Sequence, residues 1–168
     1  MVKLFVSVVM GSDSDMETMR EASAVLGKFG VAYELRILSA HRSPNLLSRY
    51  VRESEKRGVA VFIAGAGGAA ALPGAVAALT SRPVLGVPIP SSSLHGLDSL
   101  LAIAQMPAGT PAAAFAIGAA GARNAAIMAV EILALFSPHL AAALRKFKSD
   151  QERAVGAKDA KARRERRK

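Results

Sequence analysis

The sequence predicts an α/β protein, a three-layer αβα sandwich around a parallel five-stranded sheet. Three observations predict it. Short apolar, β-branched runs alternate five times with helical patterns, and such alternation yields a parallel sheet covered on both faces through right-handed crossovers. The runs are almost wholly apolar rather than alternating, as in Leu4-Phe5-Val6-Ser7-Val8-Val9-Met10, which suits strands buried on both faces. The loops richest in glycine, serine and aspartate follow the first three strands, on the edge of such a sheet where ligands bind.

Taken in order, the first strand runs from Leu4 to Met10 and stops at Gly11-Ser12-Asp13-Ser14-Asp15. A helix follows with Met16, Met19, Ala22, Val25, Leu26 and Phe29 apolar, an N-cap at Ser14 or Asp15, and Gly30 as its stop. The second strand spans Val31 to Leu38, and Ser39-Ala40-His41-Arg42-Ser43 leads to a helix opened by Pro44 and reaching Arg57. Val59 to Ala64 is the third strand and empties into the loop Gly65 to Gly74, with a helix over Pro73 to Leu79. Pro83 to Pro88 is the fourth strand, followed by Ser91-Ser92-Ser93 and a helix from Gly96 to Ala104. Ala112 to Ile117 makes a fifth strand mainly because the alternation requires one. A long Ala-rich helix spans Ala119 to Phe136, and Ser137-Pro138 opens a last helix that fades near Gly156. Residues 1–156 are thus expected to form one domain, and 157–168 a disordered basic tail. A flavodoxin-like strand order, 2-1-3-4-5, suits this size.

Composition narrows the function. There is no cysteine, so neither a disulfide framework nor a thiolate metal site is expected. No apolar run reaches the roughly 20 residues of a membrane span, and Met1-Val2-Lys3 leads into a strand pattern, so a soluble cytoplasmic protein without membrane contact is expected. The formal charge is +9, but residues 145–168 hold 11 Lys and Arg against 4 Asp and Glu. The first 144 hold 11 against 9, so the basic character belongs to the C-terminus. With aromatics at 5% there is no base-stacking platform, and no nucleic-acid partner is expected.

Three loops carry the candidate chemistry. His41 and Arg42 join a side chain type that titrates near neutral pH to a fixed cation; a core histidine is the bland reading of the first. Gly11 to Asp15 enters a helix and can hold an anion, with Ser12 and Ser14 as donors and Asp15 as a hydroxyl acceptor; a plain capped turn is equally compatible. Gly65 to Gly74 lets backbone approach a flat ligand, although close helix-to-sheet packing also needs small residues. No Walker loop, Gly-x-Ser-x-Gly elbow or metal-ligand histidine spacing is present.

Together these loops resemble one family, the N5-carboxyaminoimidazole ribonucleotide (N5-CAIR) mutases of purine synthesis, the class I form of PurE. The matching pieces are Val9 to Asp15, Ser39 to Pro44, Ala64 to Ala70, Leu72-Pro73-Gly74, Pro83 to Pro88, Asp98-Ser99-Leu100, Gln105-Met106-Pro107, Ala116-Ile117-Gly118 and Asn124-Ala125-Ala126. The resemblance implies an isomerase that moves carbon dioxide from N5 to C4 of an aminoimidazole ribonucleotide, using no cofactor, metal or ATP, in a homo-octamer. It implies His41 as the acid–base group, Ser12, Ser14, Asp15 and Arg42 as nucleotide-binding residues, and Gly67, Gly68 and Ala69 as the lining of the carbon dioxide pocket. Ser39, Ala40, Ala70, Ala71 and Leu72 would be further substrate-binding residues. Two positions depart from the family pattern: Ala71 stands where a second histidine belongs, and Ala108 where Gln-Met-Pro continues with arginine. A direct aminoimidazole ribonucleotide (AIR) carboxylase, a related decarboxylase and a weakly catalytic nucleotide-binding protein are the competing readings.

Overall fold

A computed structural model describes residues 4–91 and 93–165. Ser92 of the serine run, the first three residues and Arg166-Arg167-Lys168 of the expected tail lie outside the described residues. The chain divides into two compact units, Met1–Ala129 and Val130–Lys168.

The first unit holds the sheet: β1 (Phe5–Met10), β2 (Tyr33–Ile37), β3 (Val59–Ala66), β4 (Val84–Pro88) and β5 (Ala113–Ala114). All pairings are parallel and the order is β2-β1-β3-β4-β5, as expected from the alternation. Between the strands run α1 (Met16–Lys28), α2 (Pro44–Arg57), α3 (Ala71–Ala77) and α4 (Leu97–Ala104), and after β5 comes α5 (Ala119–Ala134). Every residue of β1 and β4 is buried, which accounts for their unbroken apolar character. On one face Phe5, Val9, Phe62, Ala64 and Ala66 share a core with Leu47, Tyr50 and Val51 of α2, Leu72 and Val76 of α3, and Ile103 of α4. On the other face α1 lies so close to β3 that a Cβ at Gly65 would stand 2.3 Å from Met19 Sδ. Gly65 is therefore a packing glycine.

β5 is the one strand much shorter than expected, two residues in place of Ala112 to Ile117. An alanine run offers little β propensity. Single backbone bonds replace a ladder there: Phe115 N–H donates to Gly86 O at 3.0 Å and Gly118 N–H to Pro88 O at 2.8 Å.

A buried polar chain ties α2 to the centre of the sheet. Tyr50 Oη lies 2.7 Å from the fully buried Ser7 Oγ and donates to Glu34 Oε2 at 3.0 Å. Since that proton goes to a carboxylate, Ser7 donates to the phenol. Arg57 pairs with the same carboxylate and holds the Glu34 carboxyl below its usual range, while burial pushes the Tyr50 phenol up. Tyr50→Phe leaves the Ser7 hydroxyl without this partner in a dry environment. Its expected cost is ~1–3 kcal/mol, read as a lower urea midpoint at constant slope.

The second unit comprises the end of α5 and α6 (Pro138–Glu165). Within it Lys148 and Glu131, one on each helical segment, form an ion pair at 3.0 Å. Pro138 sits in the first turn of α6, with Ser137 Oγ accepting from Leu140 N–H at 3.4 Å. The expected fading near Gly156 and the disorder of 157–165 do not occur: the helix continues to Glu165. Its later residues are mainly Ala, Lys and Arg, all strong helix formers, and the 3.0 Å pair Arg163–Asp159 adds i,i+4 support. Among the described residues no helix is long and apolar enough to cross a membrane.

Candidate active site

Register alone brings the three loops together. Met10 pairs with Ile37 on one side and Gly65 on the other, and Ala66 with Pro88, so β1 to β4 end at one edge of the sheet. The loops leaving those ends enclose a cavity of about 420 Å³, a size suited to a small ligand such as a nucleotide. The predicted residues Ser12, Ser14, Asp15, Ser39, Ala40, His41, Arg42, Gly67, Ala70, Ala71 and Leu72 all line it. Gly68 and Ala69 do not. Gly68 turns the chain at φ +58°, leaving Gly67 and Ala70 as the wall on either side of the turn.

The loop before α2 is shaped by two serines. Ser39 N–H donates to Ser43 Oγ at 3.1 Å, Ser43 Oγ donates back to Ser39 O at 3.1 Å, and Arg42 N–H donates to Ser39 Oγ at 3.1 Å. Such side-chain-to-backbone bonds favour a tight turn. They leave His41 and Arg42 exposed at its tip. Arg42 then reaches across to the first loop, its Nη2 donating to Gly11 O at 2.8 Å and its Nε to Ser39 Oγ at 3.4 Å. A guanidinium anchored along one edge still presents further N–H donors to an anion.

After β1 the chain makes a short 3-10 turn over Asp13–Asp15, capped by Ser12, and Asp15, one of the two expected caps, is the N-cap of α1, though its side chain makes no capping bond. Asp13 is exposed; its Oδ1 accepts from Ser12 Oγ at 2.9 Å and Ser14 N–H at 3.1 Å. Those bonds hold the Asp13 carboxyl below the usual range. Asp15 is buried, and burial pushes its carboxyl up despite the Ser14 hydroxyl 3.2 Å from Oδ1. A raised carboxyl pKa in the fold means ionisation there costs stability, a cost absent below the unfolded carboxylate range and complete once pH passes the folded value. Asp15→Asn is therefore expected to raise the melting temperature at pH 7, with the gain shrinking toward pH 4. Equal gains at both pH values would contradict the buried-charge account.

The β3–α3 loop contains the one strained residue in the cavity wall. Ala70 is buried and left-handed, φ 41°, ψ 39°, a region costly for a residue with a Cβ. Ala71 opens α3 beside it, and Leu72 lies buried beneath. Reading the sequence missed four more wall residues, Gly11 as an individual contact, Ala66, Ile89 and Pro90. Ile89 arrives because its N–H donates to Ala66 O at 2.9 Å, extending the β3–β4 pairing past the last ladder residues. Nothing polar in Val87-Pro88-Ile89-Pro90 marks it as a site from sequence. Ser43 was missed as a shaping residue, although serines four apart around a turn are a legible signal.

The carboxyl edge of this parallel α/β sheet thus gathers an imidazole, a guanidinium and several hydroxyl groups around one cavity. The chain belongs to the AIR carboxylase family, whose model matches residues 5–154. It is 56% identical over 150 residues to an N5-carboxyaminoimidazole ribonucleotide mutase of Saccharolobus solfataricus, covering 89% of this chain and 94% of that one. A protein of the same name from Pseudomonas aeruginosa is 53% identical over 150 residues, covering 89% and 92%. The crystal structure of Treponema denticola PurE superposes with a TM-score of 0.85 at 28% identity, covering 94% of this chain and 98% of that one.

Proposed function

We propose that this protein is an isomerase of purine biosynthesis that converts N5-CAIR to 4-carboxyaminoimidazole ribonucleotide (CAIR). The observation that carries the reading is the single cavity holding His41, Arg42, Asp15 and the β3–α3 loop in a chain 56% identical to a named mutase. Arg42 receives the 5′-phosphate, with Ser12 and Ser14 hydroxyls as further donors, and Asp15 accepts from the ribose hydroxyls. Ser39 and Ala40 shape the wall beside the phosphate. The aminoimidazole ring lies against His41 and the small residues Gly67, Ala70, Ala71 and Leu72.

Proton balance in this reaction calls for one shuttling group. The N5–carboxyl bond breaks, N5 takes a proton and carbon dioxide is released into the cavity. The enamine carbon C4 then attacks that carbon dioxide, and C4 loses its proton. The gain at N5 equals the loss at C4, so an imidazole that donates to one and accepts from the other returns to its starting state. The close apolar wall of Ala66, Ala70 and Leu72 limits escape of carbon dioxide before recapture.

Subunit contacts enter the same reading. Leu97 and Leu101, one turn apart on α4, are 52% and 49% exposed, and Leu94 just before them is 56% exposed. Apolar stripes of this kind favour burial against another subunit, in keeping with the octamer that the family resemblance implies. A cytoplasmic setting accords with this metabolism.

Incubating the purified protein with N5-CAIR and following CAIR formation without ATP tests the function. Conversion at a rate above the spontaneous one is the expected result. Turnover only with AIR and bicarbonate would replace the mutase by a carboxylase, and tight nucleotide binding with no turnover would replace both by a binding protein.

A further inference from the structure

A second cavity, of about 500 Å³, adjoins the first and shares Gly11, Ser12, Ser39 and Arg42 with it. The two differ in their remaining walls. His41 and the β3–α3 loop belong only to the first, whereas Asp13, Ile37 and Ser43 belong only to the second. Arg42 stands at the junction, fixed by its bonds to Gly11 O and Ser39 Oγ. If the phosphate of the proposed substrate sits on Arg42 and its ring beside His41, any longer phosphate chain must continue past Arg42 into the second cavity.

The first ionised group it meets there is Asp13. The carboxylate is exposed and held by the Ser14 N–H, a backbone bond that remains when the Ser12 hydroxyl turns from Asp13 to a bound phosphate. Building on the substrate reading above, we propose that Asp13 is a charge filter that restricts the site to ribonucleoside 5′-monophosphates. One phosphate is held by the Arg42 fork; a second places additional negative charge beside a fixed carboxylate. Two like unit charges ~4 Å apart in water-like surroundings lower affinity about fivefold, so each added charge carries a penalty of that order. Discrimination of this kind comes from a repulsive element rather than from a new attraction to the preferred ligand. It would keep the polyphosphate nucleotides, which share ribose and phosphate chemistry with the substrate, from occupying the site.

The test measures dissociation constants, by calorimetry, for 5-aminoimidazole-4-carboxamide riboside 5′-monophosphate and the corresponding 5′-diphosphate. The expected result is a monophosphate preference of about fivefold or more in the unaltered protein, narrowed to within about twofold in Asp13→Asn. The same preference should shrink in the unaltered protein as salt rises from ~0.05 to ~0.5 M, since an exposed carboxylate is screened. That measurement stands even if the variant folds poorly. A preference unmoved both by Asp13→Asn and by salt, with monophosphate binding intact and lost in Arg42→Gln, overturns the filter and leaves the substrate reading standing. Failure of the monophosphate to bind at all overturns both.

Discussion

Replacing His41 by asparagine is expected to lower kcat for N5-CAIR conversion by ~10²–10⁴-fold, the usual contribution of a positioned acid–base group, with little change in nucleotide affinity. The separation follows from the turn itself. Ser39 and Ser43 hold the loop through backbone and hydroxyl bonds that do not involve the imidazole, and Arg42 keeps its own tie to Gly11 O. His41 is exposed at the tip and supports no part of the core, so asparagine there leaves the fold and the phosphate fork in place. Single-turnover kinetics beside calorimetry read the two effects separately. A parallel loss of binding and rate would mean that the imidazole positions the nucleotide instead of moving protons.

Ala71→His is expected to raise kcat by about tenfold or more, a part of what a second acid–base group can supply. Position 71 opens α3 and lines the same cavity as His41, with the strained Ala70 fixing the direction in which the chain enters the helix. A methyl group there can neither donate nor accept, so His41 is the one imidazole among the residues lining this cavity. Alanine exceeds histidine in helix propensity by ~0.5 kcal/mol, a small cost for the fold. The pH–rate profile provides the second readout, gaining an additional titration if the new imidazole takes part. A rate and profile both unchanged would show that one histidine suffices in this cavity.

Much of the site could be read from the chain because its chemistry lies in local runs. Gly11 to Asp15 and Ser39 to Pro44 each announce a turn by composition, and both turns form where strands end. What composition cannot express is the wall contributed by register. Ile89 and Pro90 join the cavity only because β4 lies beside β3 with Ala66 opposite Pro88. Gly68 and Ala69 look like their neighbours in sequence, yet they do not line the cavity, in a turn with positive φ at Gly68 and at Ala70. In the fold, the alternation of patterns carried the strand order, whereas β5 shrank because its alanines hold the ladder weakly. The last helix outran Gly156 because one glycine among strong helix formers costs only ~1 kcal/mol, too little to end it.

The strand order also governs when the site comes into being. β1 lies between β2 and β3, so residues near position 10 must wait for partners near positions 37 and 65 before the edge closes. The turn holding His41 and Arg42 closes over five residues and can form early, but Arg42 finds Gly11 O only across a span of 31 residues. Long-range closures of this kind come late and slowly. On the proposed function, nucleotide affinity is thus a property of the finished sheet, and a bound ligand would clamp it. At a hundred times its dissociation constant, such a ligand adds ~2.7 kcal/mol to the native state.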